Sequence, residues 1–215
     1  MIVLIGGEKG GTGKTTIVTN LAAMRMQQIN EILLIDTDKQ GSASSWASVR
    51  DQNMEIKRVL SVQKFGNTIN NEIRALHTKY NDILIDAGGQ NSQELRASML
   101  VAEKMYIPIQ AGQFDVWTLG LMDQLVSQVK TFNPHLKAMV LINRASTNPS
   151  TTEIEEIFQV MSEFENLTLS AAILKERIAY RKAAKEGLSV VELNKQDPKA
   201  TDEMQFLYNE IYDIV

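Results

Sequence analysis

Cysteine is absent from the chain, which excludes disulfide frameworks, thiolate metal sites and cysteine-ligated iron–sulfur clusters. The four prolines fall singly, so no proline-rich linker divides the sequence. Charged or strongly polar residues interrupt every apolar run well short of the roughly 20 residues that a membrane-spanning helix needs. Met1 leads straight into Ile2-Val3-Leu4-Ile5 and then glycine, without the basic n-region and long apolar core of a secretory leader, and the expected location is the cytoplasm. Positive charge is in the minority, with 22 Lys and Arg against 26 Asp and Glu. A chain of that balance does not coat nucleic acid with its whole surface, so any such contact has to come from a local patch.

What is present is enough apolar material, 44% of 215 residues, for one sizeable core. With no repeat period and no break in composition, residues 1–215 are expected to form a single domain. Short apolar runs at Ile2 to Ile5, Ile32 to Ile35, Ile83 to Ile85, Met105 to Ile109 and Ala138 to Ile142 read as buried strands. Segments of helical period lie between them, such as Ile17, Leu21 and Met24, or Leu121, Leu125 and Val129 before Pro134. Alternating strand and helix predicts an α/β fold, a doubly wound and mostly parallel sheet flanked by helices, with ligands at the carboxyl ends of the strands. Asp197-Pro198 predicts the start of a last helix carrying Met204, Leu207, Tyr208, Ile211 and Val215.

Directly after the first strand comes Gly6-Gly7-Glu8-Lys9-Gly10-Gly11-Thr12-Gly13-Lys14-Thr15-Thr16, and a helical pattern follows. Strand, glycine-rich loop and helix together bring several backbone N–H groups and a helix N-terminus onto one polyanion. Lys14 then reaches the β- and γ-phosphates of a nucleoside triphosphate, the Thr15 hydroxyl joins a Mg²⁺ shell, and Thr16 serves the α-phosphate. Two aspartates close the second strand in Asp36-Thr37-Asp38-Lys39-Gln40-Gly41, and alternation puts Asp36 and Asp38 on one side. They can orient an attacking water and hold Mg²⁺ through its hydration shell. Asp86 closes another apolar strand and precedes Gly88-Gly89, as a Walker B carboxylate would; Asp82, before that strand, reads as a cap or surface residue.

Lys9-Gly10-Gly11-Thr12-Gly13-Lys14-Thr15-Thr16 resembles the deviant Walker A motif of the ParA/MinD family of P-loop ATPases, with Glu8 where the general motif has its first glycine. The resemblance implies bound ATP and Mg²⁺, and a homodimer in which Lys9 crosses to the partner's phosphates; an ordinary exposed lysine is the alternative. It also implies that Asp38 positions the water while Asp36 and Asp86 support the metal, with the roles of Asp36 and Asp38 interchangeable. Gln40-Gly41 and Gly88-Gly89 would form two switch loops, with a short helix through Ser42 to Ser48 that contains Trp46. Asn143 and Arg144 sit where the family has its adenine contacts. Phe114-Asp115-Val116-Trp117 resembles a segment of the dimer contact, although Phe114 and Trp117 are read as core.

Lys175, Arg177, Arg181, Lys182 and Lys185 occur within eleven residues that contain only Glu176 as an opposing charge. On a helix over 176 to 186, Arg177, Arg181 and Lys185 would share one face, a stripe suited to non-specific DNA or else a plain solvated face. Glu192 to Val215 holds six acidic and two basic residues, which argues against a membrane-binding tail of the MinD kind. The resemblance is thus to small, ParF-like ParA proteins. It implies a weak ATPase that rides the nucleoid and partitions plasmid DNA with a ParB-like centromere-binding partner. Another cargo (a carboxysome, a conjugation or a chemotaxis cluster), a small-molecule synthetase on the related fold, and a binding module with a dead site are the alternatives.

Overall fold

The computed structural model describes all residues except 30, 90–91, 112–115, 149–150 and 215. Strands β1 (Ile2–Ile5), β2 (Ile32–Asp36), β3 (Leu60–Gln63), β4 (Asp82–Asp86), β5 (Lys104–Gln110), β6 (Lys137–Ala145) and β7 (Leu167–Lys175) form one sheet in the order β3-β2-β4-β1-β5-β6-β7. Every pairing is parallel. Helices α1 (Lys14–Gln28), α2 (Ser42–Arg50), α3 (Ile69–His77), α4 (Gln93–Met99), α5 (Val116–Lys130), α6 (Glu153–Val160), α7 (Ile178–Lys185) and α8 (Pro198–Ile211) connect and flank them.

Strand alternation sends successive side chains into two separate cores. Leu4, Ile35, Ile85 and Ile107 pack on the side of α3, α4, α5 and α6, whereas Val3, Ile5, Leu34 and Leu84 pack with α1, α2, α7 and α8. Five of the strands lie where the apolar runs predict. β3 and β7 were not predicted: the first is a partly exposed edge, and the second, Leu-Thr-Leu-Ser-Ala-Ala-Ile-Leu-Lys, dilutes its apolar positions with small and polar residues. α8 begins as expected, with the Asp197 side chain accepting from Lys199 N and Ala200 N and proline in the first turn. It ends at Ile211, and Val215 lies outside the described residues. Among the described residues no helix is long and apolar enough to cross a membrane.

The helix that follows the second strand is anchored at its far end by a buried ion pair. Arg50 is fully buried and donates Nη1 to Glu192 Oε2 at 2.8 Å, Nη2 to Glu192 Oε1 at 2.7 Å, and further bonds to the carbonyls of Gly187 and Lys57. Burial works to raise the Glu192 carboxyl, but the hydrogen bonds and charge of Arg50, with the Ser189 N–H and Gln27, together hold the group below the usual range. The approach is possible only because residue 187 is glycine: its φ is +67°, and a Cβ there would lie 2.5 Å from the backbone nitrogen of Arg50. Arg50→Ala would strand a buried carboxylate, and we expect a loss of about 3–5 kcal/mol. An unchanged urea midpoint in that variant would show that the pair does not hold α2.

Candidate nucleotide-binding site

The loop between β1 and α1 lies at the carboxyl end of the central strand, where β2 and β4 also end. Gly13 caps α1 in the left-handed region at φ 89°, and a Cβ there would come 2.4 Å from the Asn143 amide nitrogen. Lys14 follows at once and is 7% exposed, with Nζ donating to the Lys9 carbonyl at 2.8 Å. Burial lowers its pKa, opposed by the charges of Asp86 and Asp38. Thr15 Oγ1 donates to Asp86 Oδ2 at 2.6 Å.

The three carboxylates predicted from the strand ends have different environments. Asp36 is completely buried, and both its oxygens are engaged by backbone: Oδ1 accepts from Asp38 N at 3.0 Å and Oδ2 from Ser44 N at 2.9 Å. Asp38 is half-buried, faces the cavity described below, and accepts from Gln40 N. Asp86 is 1% exposed, and burial pushes its carboxyl up to about 7; Thr15 and Lys14 oppose the shift, while Asp36 and Asp38 add to it.

A cavity of about 390 Å³ opens beside the loop. Gly10, Gly11, Gly13, Lys14, Thr15 and Thr16 form its loop side, and Asp38, Asn143 and Arg144 also line it. Thr12 is buried with its carbonyl turned to Asn143 Nδ2 at 2.6 Å. Lys9 is exposed and borders a separate small crevice with Pro108, Ile109 and Thr118. A volume of this size, lined by the glycine-rich loop, the buried Lys14, two threonines and Asp38, suits a phosphorylated small molecule.

Residues 3–190 match the model of the CobQ/CobB/MinD/ParA nucleotide-binding domain. The chain belongs to this family. It is 23% identical over 204 residues to the maintenance of carboxysome distribution protein A of Halothiobacillus neapolitanus, a match that covers 94% of this chain and 92% of the relative. The fold is similar to that of apo McdA of Cyanothece, with TM-score 0.77 at 16% identity and 98% of each chain covered. A plasmid partition protein of Borrelia burgdorferi gives TM-score 0.69 at 18% identity, covering 100% of this chain and 98% of its own.

The basic stripe does not form as drawn. Arg177 is the extended N-cap of α7, at φ −130°, and its guanidinium is bound by Glu203 of α8, with Nη2 to Oε1 at 2.5 Å. Glu203 lies 26 residues away and therefore escaped a local count of opposing charges. Lys175 ends β7, and it lines the nucleotide cavity together with Arg177 and Arg181. Lys182 and Lys185 are exposed on α7, and Lys185 borders a neighbouring groove with Ser45 and Trp46.

Trp117 is 73% exposed, contrary to the core reading, because the inward stripe of α5 runs through Leu119, Met122, Val126 and Val129. Phe114 and Asp115 lie outside the described residues. Asp82 is neither cap nor surface; it is 4% exposed and paired with Arg25 and the Met1 amine. Two contacts lie outside the expected site: Gln110, of a segment that resembles the family's dimer contact, donates to the Gly11 carbonyl at 2.8 Å, and Glu176, counted only as a charge opposing the basic run, binds Arg144. Their only local signal is a polar residue at, or just beyond, the carboxyl end of a strand next to the loop.

The Asp86 shift gives a pH test of the nucleotide-free protein. Its folded pKa lies above the unfolded value of roughly 3.9, so its contribution to stability is complete below that value and is lost as pH rises through about 7. Asp86→Asn should therefore raise the Tm relative to wild type at pH 8 by more than it does at pH 5. Equal differences at the two pH values would mean that the carboxylate is not penalised by burial.

Proposed function

We propose that this protein is an ATP-dependent dimerisation switch with slow Mg²⁺-dependent ATPase activity, which binds DNA without sequence preference and segregates it with a ParB-like centromere-binding partner. One observation carries the reading: the two lysines of one loop are divided, Lys14 held inside it and Lys9 exposed at its rim. Lys14 would serve the triphosphate bound by its own subunit. Lys9 would serve the phosphates held by a second copy, supplying in trans the charge that an arginine finger supplies elsewhere.

The donor set fits magnesium. Mg²⁺ keeps most of its waters and needs few protein oxygens besides those of the phosphates, and the Thr15 hydroxyl and Asp86 carboxylate stand 2.6 Å apart with a carboxyl that burial disfavours as an anion. Bound there, the ion would neutralise charge on the phosphates. Asp38, at the cavity wall, would orient the attacking water. Asp36, whose oxygens are taken by Asp38 N and Ser44 N, would support the metal site by fixing the segment that carries Asp38. Gly10 to Thr16 would cradle the phosphates, with Asn143 at the adenosine end.

Lys182 and Lys185, exposed on α7 of an acidic protein, supply the local patch that a salt-sensitive DNA contact requires. Arg181, Lys175 and Arg177 line the nucleotide cavity, so a link between nucleotide and DNA would run through the same short segment. A second reading, in which the cargo is a carboxysome, is favoured by the relative named for carboxysome distribution, which aligns over 94% of this chain.

The decisive assay is retention on random-sequence DNA. ATP should confer it, a rise from 50 to 200 mM salt should weaken it by roughly 10²-fold for the four lysine contacts of a dimer, and Lys182→Ala with Lys185→Ala should remove it while nucleotide binding persists. Failure to bind DNA with ATP, together with hydrolysis that requires a small metabolite, would replace the switch by a synthetase of the family's CobQ/CobB branch.

A further inference from the structure

Two consecutive residues of a regular strand point to opposite faces of its sheet. Asn143 and Arg144, near the end of β6, break that rule: Asn143 Nδ2 donates to the carbonyl of Thr12 at 2.6 Å, and Arg144 Nη1 to the carbonyl of Gly11 at 3.1 Å. The backbone shows how this is achieved. The pairing of β6 with β7 slips between Ile142 and Ala145, and Arg144 lies in the left-handed region at φ 54°. Among the described residues only Asp213 shares that feature outside glycine, near the end of the described chain. An arginine has no intrinsic preference for this conformation. Its guanidinium is held from the other side by Glu176, Nε to Oε2 at 2.5 Å, and Gln110 from β5 gives the Gly11 carbonyl a second donor at 2.8 Å.

We propose that Arg144 is a positioning residue of the nucleotide site, which sets the phosphate loop for its ligand through the Gly11 carbonyl and does not itself contact the nucleotide's base. The inference rests on the reading of Gly10 to Thr16 as a phosphate cradle. In a planar trans peptide the N–H points opposite to the preceding carbonyl. Tying back the Gly11 and Thr12 carbonyls therefore fixes the N–H groups of Thr12 and Gly13, the donors such a loop offers to an anion. The strained backbone at Arg144 is what turns a second side chain onto the loop, and Glu176 keeps the guanidinium there. A residue beside the base would act only on ligands that have one; a residue that sets the loop acts on any polyphosphate.

The experiment compares ATP with inorganic tripolyphosphate, which has no base or sugar, by competition binding to wild type, Arg144→Ala, Arg144→Gly and Arg144→Lys. We expect Arg144→Ala to weaken both ligands by a similar factor, about tenfold for loss of a charged hydrogen bond. Arg144→Gly relaxes the backbone yet lacks the guanidinium and should lose as much, while Arg144→Lys, which keeps charge but cannot bridge Gly11 to Glu176, should recover only part. Weakening of ATP alone would make Arg144 a base contact and overturn the proposal, as would unchanged binding of both ligands in Arg144→Ala and Arg144→Gly. A wild-type protein that binds neither ligand would instead refute the reading of the loop itself.

Discussion

The ammonium of Lys14 sits inside its own loop, 2.8 Å from the Lys9 carbonyl and close to Asp86 and Asp38, and the rest of the site is organised around that buried cation. A lysine taken out of water is costly unless it is bonded and faced by opposite charge. The parallel sheet meets that demand by ending three neighbouring strands at the same level: β1 leads into the loop, β2 delivers Asp36 and Asp38, and β4 delivers Asp86. The result is an excess of carboxylate held in place by the fold, with Asp86 displaced to about 7 by its burial. Burial makes the charged form of that carboxylate costly until further positive charge faces it.

The surrounding structure limits what can move. The helix after β2 is held at its start by Asp36, which accepts from Ser44 N, and at its end by the Arg50–Glu192 pair. Between Asp36 and Ser44 lies the short segment that carries Asp38 to Gly41. On the opposite side, Gln110, Asn143 and Arg144 tie back the phosphate loop. The loop is thus tied back from one flank, while Asp38 lines the cavity on the other.

Much of this was legible in the sequence, and the parts that were not share a cause. The five strands with uninterrupted apolar runs, the glycine-rich loop and the aspartates at strand ends are local patterns, and each depends on neighbours within a few positions. β3 is an edge strand with little apolar burial, and β7 mixes alanine, serine and threonine into its register, so neither has a strong period. Arg177 read as part of a basic face because its partner Glu203 is far along the chain. Asp82 read as surface because the Met1 amine and Arg25 reach it only in the folded sheet. Trp117 read as core from residue type alone, whereas helical phase puts it outside. Long-range pairing and phase decide these cases, and composition carries neither.

In the proposed switch one loop holds a cation for its own nucleotide and another for a second subunit. The deciding measurement is sedimentation with ADP and with a non-hydrolysable ATP analogue, for wild type and for Lys9→Ala. Wild type should be a monomer with ADP and a dimer with the analogue, and Lys9→Ala should bind the analogue yet stay monomeric. Dimers of Lys9→Ala as abundant as those of wild type would contradict it.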